Sequence, residues 1–112
     1  MGMIVALDTP PCPANGLERA AWHRSQAQYH TIGGWLWCRY MATALCIEMR
    51  FQRDNREPTL PLTNPIDALV YATILRQAAA DEDAPDARNE MLGWARHLES
   101  LAMGEHVTAP KQ

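Results

Sequence analysis

The strongest constraint on the fold is an apolar run between Gly34 and Arg53, which reads WLWCRYMATALCIEMRFQR from Trp35 onward. When its residues are placed at about 100° intervals around a helix, apolar side chains cover almost the whole circumference. A helix that is apolar on all sides is buried, either in a protein core or in a membrane. The run therefore predicts the central hydrophobic helix of a small all-α domain, with spare apolar surface for a subunit interface.

A membrane is the alternative burial site for this helix. From Ile32 to Met49 the run has 18 residues, which is at the lower limit for spanning a bilayer. However, Arg39 and Glu48 lie inside it, and a charged side chain is costly at that depth. We therefore predict no membrane association.

A basic edge runs along the predicted helix. Arg39, Arg50 and Arg53 fall within one narrow arc together with Thr43, and Arg56 extends the patch into the next loop. We expect this edge to reach solvent, because charged side chains are rarely buried without a partner. It is the feature best suited to hold a phosphate or an acidic partner.

Glu48 lies on the opposite side of the same helix, among apolar residues. A carboxylate in such a place needs a partner or becomes neutral. We favour a solvated position near an opening of the core, with an ion pair to Arg24 or Arg76 of another helix as the alternative. If Glu48 were buried in a dry pocket, it would be the first candidate for a functional site.

Helix start and stop signals divide the chain into four helices. Asn15 is a favoured N-cap with Glu18 three residues later, and Pro65 and Pro85 are favoured at a first helical position. Paired glycines at 33–34 either separate the first two helices or kink one long helix. The predicted ranges are 15–31, 34–53, 64–80 and 84–103.

These elements predict one compact four-helix bundle-like domain that spans residues 1–112. The prolines at positions 10, 11 and 13 keep the chain extended, so residues 1–14 are predicted to form a strap across the helices. Gly104 is predicted to end the last helix, and residues 105–112 are predicted to be a frayed tail.

Composition excludes several classes of protein. The net charge of -3 argues against a strongly electrostatic nucleic-acid binder. Cys12, Cys38 and Cys46 are an odd number without C-x-x-C spacing, which indicates free thiols in a reducing cytoplasm. Nine arginines against one lysine are typical of a GC-rich bacterial or phage genome.

Catalytic and metal-binding signals are weak. His23 and His30 are seven residues apart, on one face of the first predicted helix. Zinc ligands usually show tighter spacing, so these two histidines are weak candidates and no metal or other cofactor is predicted. Cys12 beside a histidine is a weak candidate for a reactive thiol.

The tryptophans and arginines of the central helix indicate binding to a partner. Trp35 and Trp37 begin the central helix, and tryptophan and arginine are enriched at interaction hot spots. We therefore expect partner binding at the two tryptophans and at the basic residues Arg39, Arg50, Arg53 and Arg56.

The leading expectation is a small non-enzymatic protein–protein interaction module, such as an adaptor, inhibitor or regulatory accessory protein, that can act as a homodimer. The first alternative is a nucleic-acid-binding regulator that uses the basic edge, although acidic residues interleave it. The second is a small metal- or thiol-dependent enzyme built on Cys12, His23, His30 or Glu48.

Overall fold

The computed structural model describes residues 11–14, 16–56 and 65–104. Four helices are present: α1 (Gly16–Ala27), α2 (Trp35–Asn55), α3 (Pro65–Ala80) and α4 (Pro85–Ala102). No β-strand occurs in these ranges, so the predicted all-α class is confirmed there. Residues 11–14 contain neither helix nor strand. The rest of the predicted strap, the Asn15 cap and the predicted tail at 105–112 lie outside the described residues.

The first helix is shorter than predicted. It ends at Ala27 rather than at residue 31, because Tyr29 and His30 donate their backbone N–H groups to carbonyls three residues earlier, at 3.2 and 3.0 Å. Gly33 then adopts a φ of 87°, a conformation that L side chains rarely take. The glycine pair 33–34 therefore separates two helices and does not kink a continuous one.

The second helix ends two residues later than predicted. It continues to Asn55 and is closed by Arg56, whose backbone N–H donates to the carbonyl of Gln52 at 2.8 Å. Arg56 has a φ of 57°, in the left-handed region. This is the position at which many helices carry glycine.

The apolar run of α2 forms the centre of the described structure. Helix α2 contacts each of the other three helices, whereas α1 contacts α2 alone. Eight of its residues are buried: Cys38, Ala42, Ala44, Leu45, Cys46, Ile47, Glu48 and Met49. No helix in the described ranges combines the length and the apolar character needed to cross a membrane.

Two groups of buried residues hold the helices together. The larger group joins α2, α3 and α4 and includes the fully buried side chains Leu45, Leu75 and Leu98. The smaller group joins α1 to α2 and consists of Ala20, Ala44 and Ile47. The smaller group has three buried residues, against fourteen in the larger group.

Proline starts both of the last two helices, as predicted. Helix α3 ends at Ala80, and residues 81–84 connect it to α4, so the two helices are antiparallel neighbours. The backbone N–H of Ala84 donates to the carboxylate of Glu82 at 3.1 Å. After α4, Gly104 adopts a φ of 77°, in agreement with the stop signal predicted there.

Candidate functional site

Glu48 is a buried residue and is 8% exposed. Its Oε2 accepts a hydrogen bond from Nε of Arg24 at 3.0 Å, and its Oε1 accepts a second from Nη2 of the same guanidinium. The bond to Glu48 raises the pKa of Arg24, although burial of the guanidinium acts in the opposite direction. The solvated position favoured from the sequence is therefore wrong, and the alternative pair with Arg24 is present.

The small residues of α1 explain why Arg24 reaches this carboxylate. Ala20 and Ala27 are 0% and 1% exposed and allow α1 to lie close to α2. The two-bond geometry of the pair matches the planar guanidinium to the carboxylate. Among the described residues no buried side-chain nitrogen or oxygen lacks a hydrogen-bond partner. Glu48 is thus part of the α1–α2 contact, and its carboxylate is hydrogen-bonded within the protein.

The predicted basic edge is divided along α2. Arg39 and Arg50 are 11 residues apart on one helix, which separates their backbones by about 16 Å. Each arginine of the edge also faces a carboxylate: Arg39 faces Glu82 at 4.0 Å, Arg50 faces Glu90 at 2.9 Å, and Arg53 faces Asp54 at 3.0 Å. These pairs offset the positive charge that a nucleic-acid backbone would require.

The far end of the edge packs against α4. The guanidinium of Arg53 lies 5.7 Å from the ring centroid of Trp94, and the Trp94 Nε1–H donates to Glu90 at 3.0 Å. These residues, with Gly93 and His97, line a shallow depression of about 270 Å³. The positive charge of Arg53 and the negative charge of Glu90 both line the depression, so it carries little net charge.

A cleft between α1 and α2 contains the other end of the edge. It has a volume of about 390 Å³ and is lined by Arg19, His23, Trp35, Leu36, Arg39, Tyr40 and Thr43. Three residues selected from the sequence, Arg39, Trp35 and His23, therefore meet in one place. Among the described residues that line the cleft, none is acidic.

The two histidines proposed as weak metal candidates both contact the ring of Tyr40. His30 stacks on it with centroids 5.4 Å apart and 14° between the planes, and His23 lies at 6.1 Å. Nδ1 of His23 is 2.9 Å from the carbonyl oxygen of Arg19. A carbonyl only accepts, so Nδ1 is the donor in this contact. The described ranges contain no group of three or more potential metal-ligating side chains.

The turn between α1 and α2 exposes large apolar side chains. Tyr29, Ile32 and Trp35 are 65%, 80% and 59% exposed. Beside them is a depression of about 200 Å³ that is lined by His30, Thr31, Gly34, Trp35, Leu36 and Trp37. We call this region, residues 29–37, the turn surface. Trp37 is half-buried and packs against the larger core group, so Trp35 is the more accessible of the two predicted partner-binding tryptophans.

The outer face of α3 is a second apolar surface. Ile66, Leu69 and Val70 are 68%, 45% and 49% exposed, at helical spacing. The charged residue on that face, Arg76, donates two hydrogen bonds of 2.7 Å to Glu99 of α4. The face is therefore close to neutral.

All three cysteines are free thiols. Burial raises the pKa of Cys46 to about 12, with a further contribution from the charge of Glu90. Burial also raises the pKa of Cys38, whose Sγ lies 3.1 Å from Oε1 of Gln77. A raised pKa lowers the thiolate fraction and so makes a thiol a poorer nucleophile. Cys12 is exposed, and the described structure places no histidine contact beside it.

Sequence reasoning missed Arg19, Tyr40 and Ile32. Arg19 and Tyr40 come from different helices, and only the close α1–α2 packing brings them together. Ile32 lies between the predicted helices 15–31 and 34–53 and was counted only as the start of the apolar run. The glycine pair directly after Ile32 is the signal that could have identified it. Two glycines indicate a short surface turn, where an apolar side chain has few apolar neighbours to pack against.

Comparisons of the chain with protein-family models, with curated proteins and with solved structures gave no match. The class that the fold and the surfaces define is therefore an all-helical protein with a basic, aromatic cleft and an exposed apolar turn.

Proposed function

We propose that this chain is a small non-enzymatic protein–protein interaction module that acts as a homodimer through the turn surface. Exposed tryptophan and tyrosine side chains are typical of interaction hot spots. Trp35 and Tyr29 have this character, and Ile32 between them is 80% exposed.

The observation that carries the proposal is that Ile32, which is 80% exposed, adjoins a depression of about 200 Å³ in the turn surface. A two-fold interface uses the same patch on both subunits, so the patch must supply a projection and a recess. Ile32 is the projection, and the 200 Å³ depression beside Trp35 and Trp37 is the recess. A second copy placed about a two-fold axis can insert its Ile32 into this depression while its own depression receives Ile32 in return.

The remaining features support the same proposal. Three free thiols fit a reducing cytoplasm, where the homodimer would serve as an adaptor, inhibitor or regulatory accessory protein. We also propose that residues 1–112 form one bundle-like domain with residues 1–14 as a strap, because α2 already contacts every other described helix.

The alternatives have less support. A nucleic-acid-binding role would use Arg50 and Arg53, and both are already paired with carboxylates at 2.9 and 3.0 Å. A metal- or thiol-dependent enzyme would use Cys12, His23, His30 or Glu48, and two of these are already engaged: Glu48 with Arg24 and His23 with the carbonyl of Arg19.

The test is sedimentation equilibrium on the purified chain and on the variant Ile32→Ser. This change removes the projection at an exposed position and leaves the helices intact. We expect the native chain to dimerise in a concentration-dependent manner and Ile32→Ser to weaken the dimer by at least 10-fold, since burial of one large aliphatic side chain contributes about 1.5–3 kcal/mol.

Leu69→Ser on the outer face of α3 is the matched control, because Leu69 is also an exposed aliphatic residue. We expect it to leave dimerisation unchanged. A chain that stays monomeric at millimolar concentration would refute the homodimer. A dimer that is weakened by Leu69→Ser and not by Ile32→Ser would show that the turn surface is the wrong interface.

A further inference from the structure

The cleft between α1 and α2 has a chemistry that the proposed dimer interface does not use. Arg19 projects from α1 and Arg39 from α2, so two guanidinium groups from different helices line one depression of about 390 Å³. Both side chains are exposed at the surface. Arg19 makes no ion pair with any described residue, and Arg39 has only the 4.0 Å contact with Glu82.

The charge of this cleft favours an anion. None of its lining residues is acidic, whereas the depression on α4 has a carboxylate, Glu90, beside its arginine. Arginine also binds carboxylates and phosphates with two parallel hydrogen bonds, which adds geometric selectivity to the charge. An anion held between the two helices would therefore gain from both arginines.

The walls of the cleft favour a flat ring. Trp35, Leu36 and Tyr40 line it, and Trp35 is 59% exposed. Aromatic faces stack on planar rings and on each other, which adds to the gain from burying apolar area. Tyr40 is held in place by its stacking with His30, so this wall is preorganised. His23 also lines the cleft, and its Nδ1–H donates to the carbonyl oxygen of Arg19.

The size of the cleft limits the ligand. A volume of about 390 Å³ lies at the lower end of the range of about 300–1,000 Å³ for ligand pockets. It suits one ring system with one charged group and is too small for a dinucleotide or a folded peptide.

We propose that the cleft between α1 and α2 binds a small molecule that carries an anionic group, phosphate or carboxylate, on an aromatic ring system. Arg19 and Arg39 bind the anion, and Trp35 and Tyr40 contact the ring. The cleft shares Trp35 and Leu36 with the depression used in the proposed dimer, whereas Arg19 and Arg39 are not part of the turn surface.

The test is isothermal titration calorimetry of the full chain with four probes. Adenosine 5′-monophosphate and benzoate carry both a ring and an anion, adenosine carries only the ring, and inorganic phosphate carries only the anion. We expect binding of at least one ring-bearing anion, and at least 10-fold weaker binding of adenosine and of phosphate. The stronger of the first two probes distinguishes a phosphate from a carboxylate ligand. The proposal would be overturned if neither adenosine 5′-monophosphate nor benzoate bound. It would also be overturned if inorganic phosphate bound as tightly as the ring-bearing anions.

Two variants identify the site. Arg19→Gln and Arg39→Gln change exposed side chains, and each is expected to weaken binding about 10-fold because a hydrogen bond to a charged group is lost. Arg96→Gln removes the same charge from an exposed position on α4, and we expect it to have no effect. Binding that survives both cleft variants, or that falls equally in Arg96→Gln, would contradict the assignment. Ile32→Ser should dimerise poorly and still bind the ligand, so the two proposals can fail separately.

Discussion

The ion pair between Arg24 and Glu48 yields the sharpest stability prediction. The variant Arg24→Met removes the guanidinium and keeps most of the aliphatic stem, so the change isolates the charge and its hydrogen bonds from packing. Glu48 is then left 8% exposed without its guanidinium partner. Removing one member of a buried pair costs about 3–5 kcal/mol, because the other charge is still desolvated.

The structure places this variant at the lower end of that range. The side chain of Arg24 is 31% exposed, so water can reach the carboxylate from the same side once the guanidinium is gone. We therefore expect a loss of about 3 kcal/mol, out of a total stability of about 5–15 kcal/mol for a domain of this size. With a urea m-value of about 1.5 kcal/mol/M, the unfolding midpoint falls by about 2 M. Urea unfolding followed by circular dichroism at 222 nm measures it.

The chain contains a matched control for this experiment. Arg76 and Glu99 form the same two-bond pair between two helices, at 2.7 Å, with side chains that are 44% and 35% exposed. Solvent and salt screen such a pair, so Arg76→Met should have a much smaller effect. An Arg24→Met variant no less stable than Arg76→Met would refute the reasoning from burial. The double variant Arg24→Met/Glu48→Met should recover most of the lost stability, because well-packed apolar residues can replace a buried pair.

Three further predictions concern the thiol of Cys46 and the backbone at Gly33 and Arg56. Because burial raises the pKa of Cys46 from 9.0 to about 12, the unfolded chain releases this proton above about pH 9 while the native chain keeps it. Stability should therefore fall by roughly 1.4 kcal/mol per pH unit between these two values, and Cys46→Ala should reduce that slope in urea unfolding at pH 8 and pH 10. Gly33→Ala should destabilise by about 1 kcal/mol in thermal unfolding, since its φ is 87° with no atom within 4 Å of the added Cβ. Arg56→Gly should stabilise by about 0.5–1 kcal/mol, since its φ of 57° suits glycine.

Local signals in the sequence were enough to locate the helices. Pro65 and Pro85 mark the starts of α3 and α4, because a first helical position needs no backbone N–H donor. The end of α1 was placed four residues too late, because residues 28–31 have no strong helix breaker of their own. The turn is instead set by the positive φ of Gly33.

The sequence could not predict which residues of different helices contact each other. Arg24 and Arg76 were equal candidates for Glu48, and nothing local distinguishes them. The packing of α1 on α2 assigns Arg24 to Glu48, and the packing of α3 on α4 assigns Arg76 to Glu99. For the same reason the basic edge could be recognised on α2, while its acidic partners on α4 and in the α3–α4 connection could not.

The contact between α1 and α2 connects the ion pair to the cleft. The apolar contact between α1 and α2 is a small group built on Ala20, Ala44 and Ile47, and Arg24 with Glu48 adds a polar contact beside it. Arg19, the α1 side of the cleft, is correctly placed only while this helix is docked. A ligand that binds Arg19 and Arg39 together would favour the docked state by mass action. The ion pair is thus a positioning element for the cleft, and a chain that loses it should bind the aromatic anion more weakly, although neither Arg24 nor Glu48 lines the cleft.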